Sequence, residues 1–101
     1  MWIVVMFDLP VDTKSARKRA TKFRLFLLDQ GFEMSQFSVY ARFCNGKESY
    51  ETYLRRIKAE LPPRGEVHVL HFTDKQYETS VRFSNKERTR GQEPPSQLAL
   101  F

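Results

Sequence analysis

Trp2-Ile3-Val4-Val5-Met6-Phe7, closed at once by Asp8-Leu9-Pro10, is the stretch on which the fold turns. Its β-branched and aromatic residues favour a strand, and the absence of polar alternation marks a strand buried on both faces. Pro10 ends it, and the period then changes. Ala16, Ala20, Phe23 and Leu27 recur at i, i+4, i+7 and i+11, one narrow apolar stripe along a helix that starts near Thr13. Asp12 reads as its N-cap and Gly31 as its C′ residue.

Phe32 to Phe43 reads as two short strands bent near Gln36, with Val39, Ala41 and Phe43 alternating against Ser38, Tyr40 and Arg42. Asn45-Gly46 breaks the chain. A second helix, from about Lys47 to Leu61, carries Tyr50, Leu54, Ile57 and Leu61 on one stripe and stops at Pro62-Pro63-Arg64-Gly65. Glu66–Phe72 is a further strand. The order β-α-β-β-α-β predicts a ferredoxin-like α+β sandwich, in which right-handed crossovers place both helices on one face of an antiparallel sheet. The first strand is apolar on both faces, so the helix-free face needs a cover. A second copy of the sheet is the simplest one, which predicts a homodimer. Residues 73–81 read as a polar connector and Val81-Arg82-Phe83 as a short fifth strand. The domain is therefore set at 1–84, with a basic linker and hydrophobic tail at 85–101. Leu98, Leu100 and Phe101, on a polar leash, read as a docking end for a partner surface.

A chain of 101 residues has room for one core, and 41% apolar with 14% aromatic residues suits packing rather than disorder. The longest apolar run falls far short of the roughly 20 residues of a membrane span, and the N-terminus lacks the pattern of a secretory signal. A cytoplasmic protein without a membrane partner is expected. Cys44 is the single cysteine, which excludes an internal disulfide and a cysteine-rich zinc site. The net charge is +5, and its distribution is more telling than its sum. Between Asp12 and Asp29 stand Lys14, Arg17, Lys18, Arg19, Lys22 and Arg24 with no acid among them. Lys14, Arg17, Lys18 and Lys22 span about 140° opposite the apolar stripe. A merely solvated helix mixes signs to gain i,i+4 pairs, as the second helix does with Glu48, Glu51, Arg55, Arg56, Lys58 and Glu60. The single-signed face predicts contact with a nucleic-acid backbone, without sequence preference.

Asp8 ends the central strand. One reading is a carboxylate that caps the strand-to-helix turn; the other is a metal ligand or general base. A single carboxylate makes a poor Mg²⁺ site, but near a two-fold axis it occurs twice, so two Asp8 side chains facing each other could share one Mg²⁺. His68 and His71 are three apart on a strand and point to opposite faces. Ser38 has no triad partner at a telling spacing, and no Gly-rich phosphate loop is present.

Phe7-Asp8-Leu9, the Arg17-Lys18 helix, Gly31-Phe32 and Gln36-Phe37-Ser38-Val39-Tyr40, in that order, resemble the second of the CRISPR-associated (Cas) adaptation proteins. Phe72-Thr73-Asp74-Lys75-Gln76-Tyr77 and Leu98-Ala99-Leu100-Phe101 resemble its branch from single-effector (type II) systems. The resemblance implies a ferredoxin-like homodimer that bridges dimers of the CRISPR integrase and holds a short DNA duplex. It also implies a metal-dependent endonuclease or endoribonuclease, acting on single-stranded RNA or on DNA, with Asp8 as catalytic residue and Mg²⁺ ligand. Two departures stand out: Phe7 replaces the usual Tyr, and Ala41-Arg42 replaces an acid that often follows Ser-Val-aromatic. The rival readings are an RNA-recognition module without catalysis, which shares the element order, and a small-molecule-sensing regulator.

Overall fold

The computed structural model describes residues 1–89; Leu98, Leu100 and Phe101, and with them the expected docking tail, lie outside the described residues. The elements run β1 (Trp2–Asp8), α1 (Lys14–Asp29), β2 (Glu33–Gln36), β3 (Val39–Phe43), α2 (Lys47–Ala59), β4 (Glu66–Phe72), α3 (Asp74–Glu78), β5 (Arg82–Ser84) and β6 (Glu87–Thr89). The first four strands form one antiparallel sheet in the order β2-β3-β1-β4, so the ferredoxin-like arrangement holds and the apolar strand β1 lies inside it.

One face of β1 presents Ile3, Val5 and Phe7 to the helices, where Phe23, Leu27, Phe32, Tyr40 and Ile57 complete the core. Burying a side chain of this size contributes on the order of 2 kcal/mol. Thr13, not Asp12, caps α1: its hydroxyl accepts from Ala16 N at 3.0 Å. The Asp12 carboxylate is instead engaged by Arg64. Gly31 does stand at C′ with φ +86, and a β-carbon there would strike the Arg42 guanidinium. Arg42 Nη1 donates to Gln30 O at 2.5 Å while its guanidinium lies 4.4 Å over the Tyr53 ring. A cation thus meets the last carbonyls of α1, where the helix dipole favours it.

The helix-free face carries Trp2, Val4 and Met6, flanked in register by Val39, Ala41 and Phe43 on one side and by His68, Leu70 and Phe72 on the other. Part of the cover that this face needs comes from the chain itself. The segment after β4 is not a bare connector: α3 is fixed by a capping box between Thr73 and Gln76 and stacks Tyr77 on Trp2 at 4.2 Å and 11°. Residues 80–83 follow along the same face and, with Val4, Val39 and Ala41, enclose a cavity of about 270 Å³. Cover is partial: Trp2 is 3% exposed, but Met6 is 40% exposed. The short fifth strand forms, over Arg82–Ser84. β5 pairs with β6 rather than with the main sheet, across a two-residue turn in which Asn85 and Lys86 have φ +54 and +68, the double-positive signature of a type I′ turn. The hairpin therefore crosses the expected boundary at residue 84.

Candidate functional site

Asp8 is the last residue of β1 and is exposed. The ring before it is anchored in the core: Phe7 meets Phe23 edge-on at 5.3 Å and stacks on Tyr40 at 5.7 Å. Strand alternation then turns Asp8 to the helix-free face, at the end of the sheet that α3 leaves open. Its cross-strand partner is Glu66 and that of Met6 is His68, and residues directly opposite in an antiparallel pair project to the same side. Asp8, Glu66 and His68 accordingly line one depression of about 290 Å³ together with Met6, Phe37 and Val39.

The β2–β3 turn closes that depression. Phe7 N donates to Ser38 O at 3.0 Å, Ser38 adopts φ +61, and Phe37 at the tip is 91% exposed. Ser38 is thus a turn residue beside the site. On the opposite rim, Gly65 lies against the main chain that carries Asp8: a β-carbon on it would stand 2.6 Å from Asp8 O.

Lys14, Arg17, Lys18 and Lys22 are all exposed, as their spacing predicted, and α1 has no acid in its first turn. Lys14 and Arg17 stand at the positive end of the helix dipole, where cations are disfavoured in isolation. Arg17 Nη1 is held back to Val11 O at 3.0 Å. His71 lies on the helix face against Tyr50 at 4.9 Å, away from His68, so the two histidines are separated as expected. Cys44 is buried in the core.

The residue that the sequence did not yield is Glu66. Where the resembling family often has an acid, this chain has Ala41, buried on the helix-free face, and Arg42, committed to the end of α1. The second carboxylate arrives from β4 instead, and only the β1–β4 register brings it there. Among the described residues, no group of three or more His, Cys, Asp and Glu side chains is placed to hold a metal ion. One chain therefore offers the strand-end pair Asp8 and Glu66, and a fuller oxygen shell needs further donors.

The family model described as CRISPR associated protein Cas2 matches residues 1–80. The chain is 54% identical over 101 residues to a protein of Paracidovorax avenae, with all of this chain and 94% of that one covered. It is 45% identical to proteins of Flavobacterium psychrophilum and Parvibaculum lavamentivorans, again over the whole chain and over 88% and 100% of theirs. Each of the three is named CRISPR-associated endoribonuclease Cas2.

Proposed function

The chain belongs to the CRISPR-associated protein Cas2 family, and from that premise we propose that it is an adaptor of CRISPR spacer acquisition. As a homodimer it binds duplex DNA through paired α1 helices, bridges the CRISPR integrase and carries a metal-dependent phosphodiesterase activity at Asp8. The observation that carries the reading is the combination of a single-signed basic face on α1 with an exposed strand-end carboxylate on a partly uncovered sheet face.

Two copies joined through the helix-free face bury Met6 and Phe37, which a solvated monomer leaves exposed, and bring two basic α1 helices into one particle. Lys14, Arg17, Lys18 and Lys22 then act on phosphates, where each neutralised phosphate releases counterions. The donor set fits Mg²⁺ only in part: a hard cation takes carboxylate oxygens, and one chain gives too few, so Asp8 and its copy would hold the ion together. When bound, the ion supplies charge that polarises a phosphoryl oxygen and acidifies a water. The protein's part is to present Asp8 on the rigid end of β1 and to hold the nucleic-acid backbone on α1. An RNA-recognition module without catalysis would need strand aromatics free on the open face. Here Tyr40 is buried under the helices, Trp2 lies under Tyr77, and Phe43 on the open face is half-buried, edge-on to Trp2.

The test is an integration assay with purified integrase and duplex donor, beside RNA and DNA cleavage with and without Mg²⁺. Loss of integration on omitting the protein, restored by adding it back, supports the adaptor reading. Integration that proceeds unchanged without it refutes that reading.

A further inference from the structure

We infer that Gly65, with the Arg64–Asp12 clamp beside it, is a positioning residue for Asp8: the turn entering β4 is seated on the Asp8–Leu9 main chain and fixes where the carboxylate stands at the end of β1. The inference rests on the reading of Asp8 as the working carboxylate. Two independent contacts build the junction. Gly65 has φ +92, a conformation that L side chains rarely adopt, and a β-carbon on it would come within 2.6 Å of Asp8 O, 2.9 Å of Leu9 Cδ2 and 3.1 Å of Leu9 Cα. Two of those three atoms are main chain and cannot swing aside, so any side chain must push the strand end or the turn away. Next to it, Arg64 donates Nη2 to Asp12 Oδ2 at 3.1 Å and Nη1 to Oδ1 at 3.4 Å. Asp12 lies in the loop that joins Asp8 to α1, whose Arg17 donates to Val11 O in the same loop. The α2–β4 turn therefore touches both ends of the short connection between the carboxylate and the cations. The chemical consequence is one of alignment. The Asp8 carboxylate keeps one place at the end of β1 only if that connection keeps one shape, and a misplacement of about 1 Å at a reacting group costs on the order of 100-fold in rate.

The experiment uses the full chain as wild type, Gly65→Ala, Arg64→Met, Arg64→Lys and Asp8→Asn. Backbone amide shifts, duplex DNA affinity, and kcat and KM for cleavage of a single-stranded RNA in Mg²⁺ are measured for each. Gly65→Ala is expected to move the Asp8 and Leu9 amide resonances and to lower kcat by about 100-fold with KM and DNA affinity unchanged. Arg64→Met should lower kcat in the same sense and less, and Arg64→Lys should recover part of it. A folded Gly65→Ala chain with wild-type Asp8 and Leu9 resonances, or with kcat and DNA affinity falling together, overturns the inference. If Gly65→Ala does not fold, Arg64→Met decides: a lower kcat at unchanged KM supports the positioning role, and a wild-type kcat overturns it. Asp8→Asn isolates the underlying reading, because full cleavage by that variant refutes the role of Asp8 while leaving the resonance shifts of Gly65→Ala to judge the geometry alone.

Discussion

At Asp12 the Arg64 guanidinium, through its hydrogen bond and then its charge, holds the carboxyl below its ordinary value of 3.8. A carboxyl lowered on folding contributes stability that is present above its unfolded pKa and lost as the pH falls through the folded one. Both partners are more than half exposed, so solvent screens the pair and its contribution to stability is small. Arg64→Met should accordingly raise the Asp12 midpoint toward 3.8 in a carboxyl-detected NMR titration while barely moving the thermal midpoint. At Asp8 the expectation concerns activity. Asp8→Asn should abolish metal-dependent phosphodiester cleavage and leave integration by the integrase complex intact, since on the proposed reading bridging depends on shape and basic charge. An Asp8→Asn protein that binds DNA and integrase yet fails to integrate would assign Asp8 to integration itself. Asp8 could be singled out in the sequence because an acid ending an apolar strand just before Leu9-Pro10 is conspicuous. Glu66 could not, since nothing local distinguishes it from any acid that opens a strand. Only the antiparallel register of β1 with β4 makes the two neighbours.

The elements divide along the same line. α1 and β4 were legible to within a residue or two because each has many positions that vote for one period. α3 was not, because the five residues of Asp74–Glu78 make little more than one turn and carry no stripe. Its one local signal was the Thr73-x-x-Gln76 capping box. β6 was hidden for a related reason: its turn is Asn-Lys rather than Asn-Gly, the pair that ordinarily announces a type I′ hairpin. For α1, Arg17→Glu with Lys18→Glu should weaken duplex binding for all sequences alike and flatten its salt dependence, which a titration of affinity against salt concentration measures directly. An unchanged slope would mean that the helix is only a solvated face. For α3, burial is the main cause that raises the Tyr77 hydroxyl above its ordinary 10.0, with the Arg82 cation opposing and Glu33 adding to the rise. Such a group favours the folded state fully below its unfolded pKa, and that contribution fades as the pH rises through the folded one. Above about pH 10 α3 should therefore loosen from Trp2, seen as a change in tryptophan fluorescence, whereas Tyr77→Phe should keep the stack and lose the alkaline transition. Tyr77→Ala should cost about 2 kcal/mol by denaturant unfolding.

On the scale of the whole molecule, α3 and residues 80–83 close one end of the helix-free face and leave Met6 and Phe37 uncovered at the Asp8 end. A homodimer through this face predicts that Met6→Glu with Phe37→Ser shifts the protein to monomers in sedimentation at micromolar concentration, with the far-UV spectrum unchanged. A variant that stays dimeric would place the contact elsewhere. Part of the cover that the apolar β1 calls for comes from the same chain, through α3, an element too short to show a period in the sequence. The interior position of β1 has one more consequence, and it concerns how the protein is made. β1 leaves the ribosome before β3 and β4, the strands that bond its two edges, the latter ending only at Phe72. At about 5–20 residues per second, roughly 4–14 s pass between the synthesis of β1 and that of its last neighbour. During that interval the most apolar strand among the described residues has a free edge and waits on distant contacts whose loop closure is slow. Nascent chains that stop before Glu66 should thus be aggregation-prone and held by chaperones, while those that reach Ser84 should become soluble and protease-resistant together.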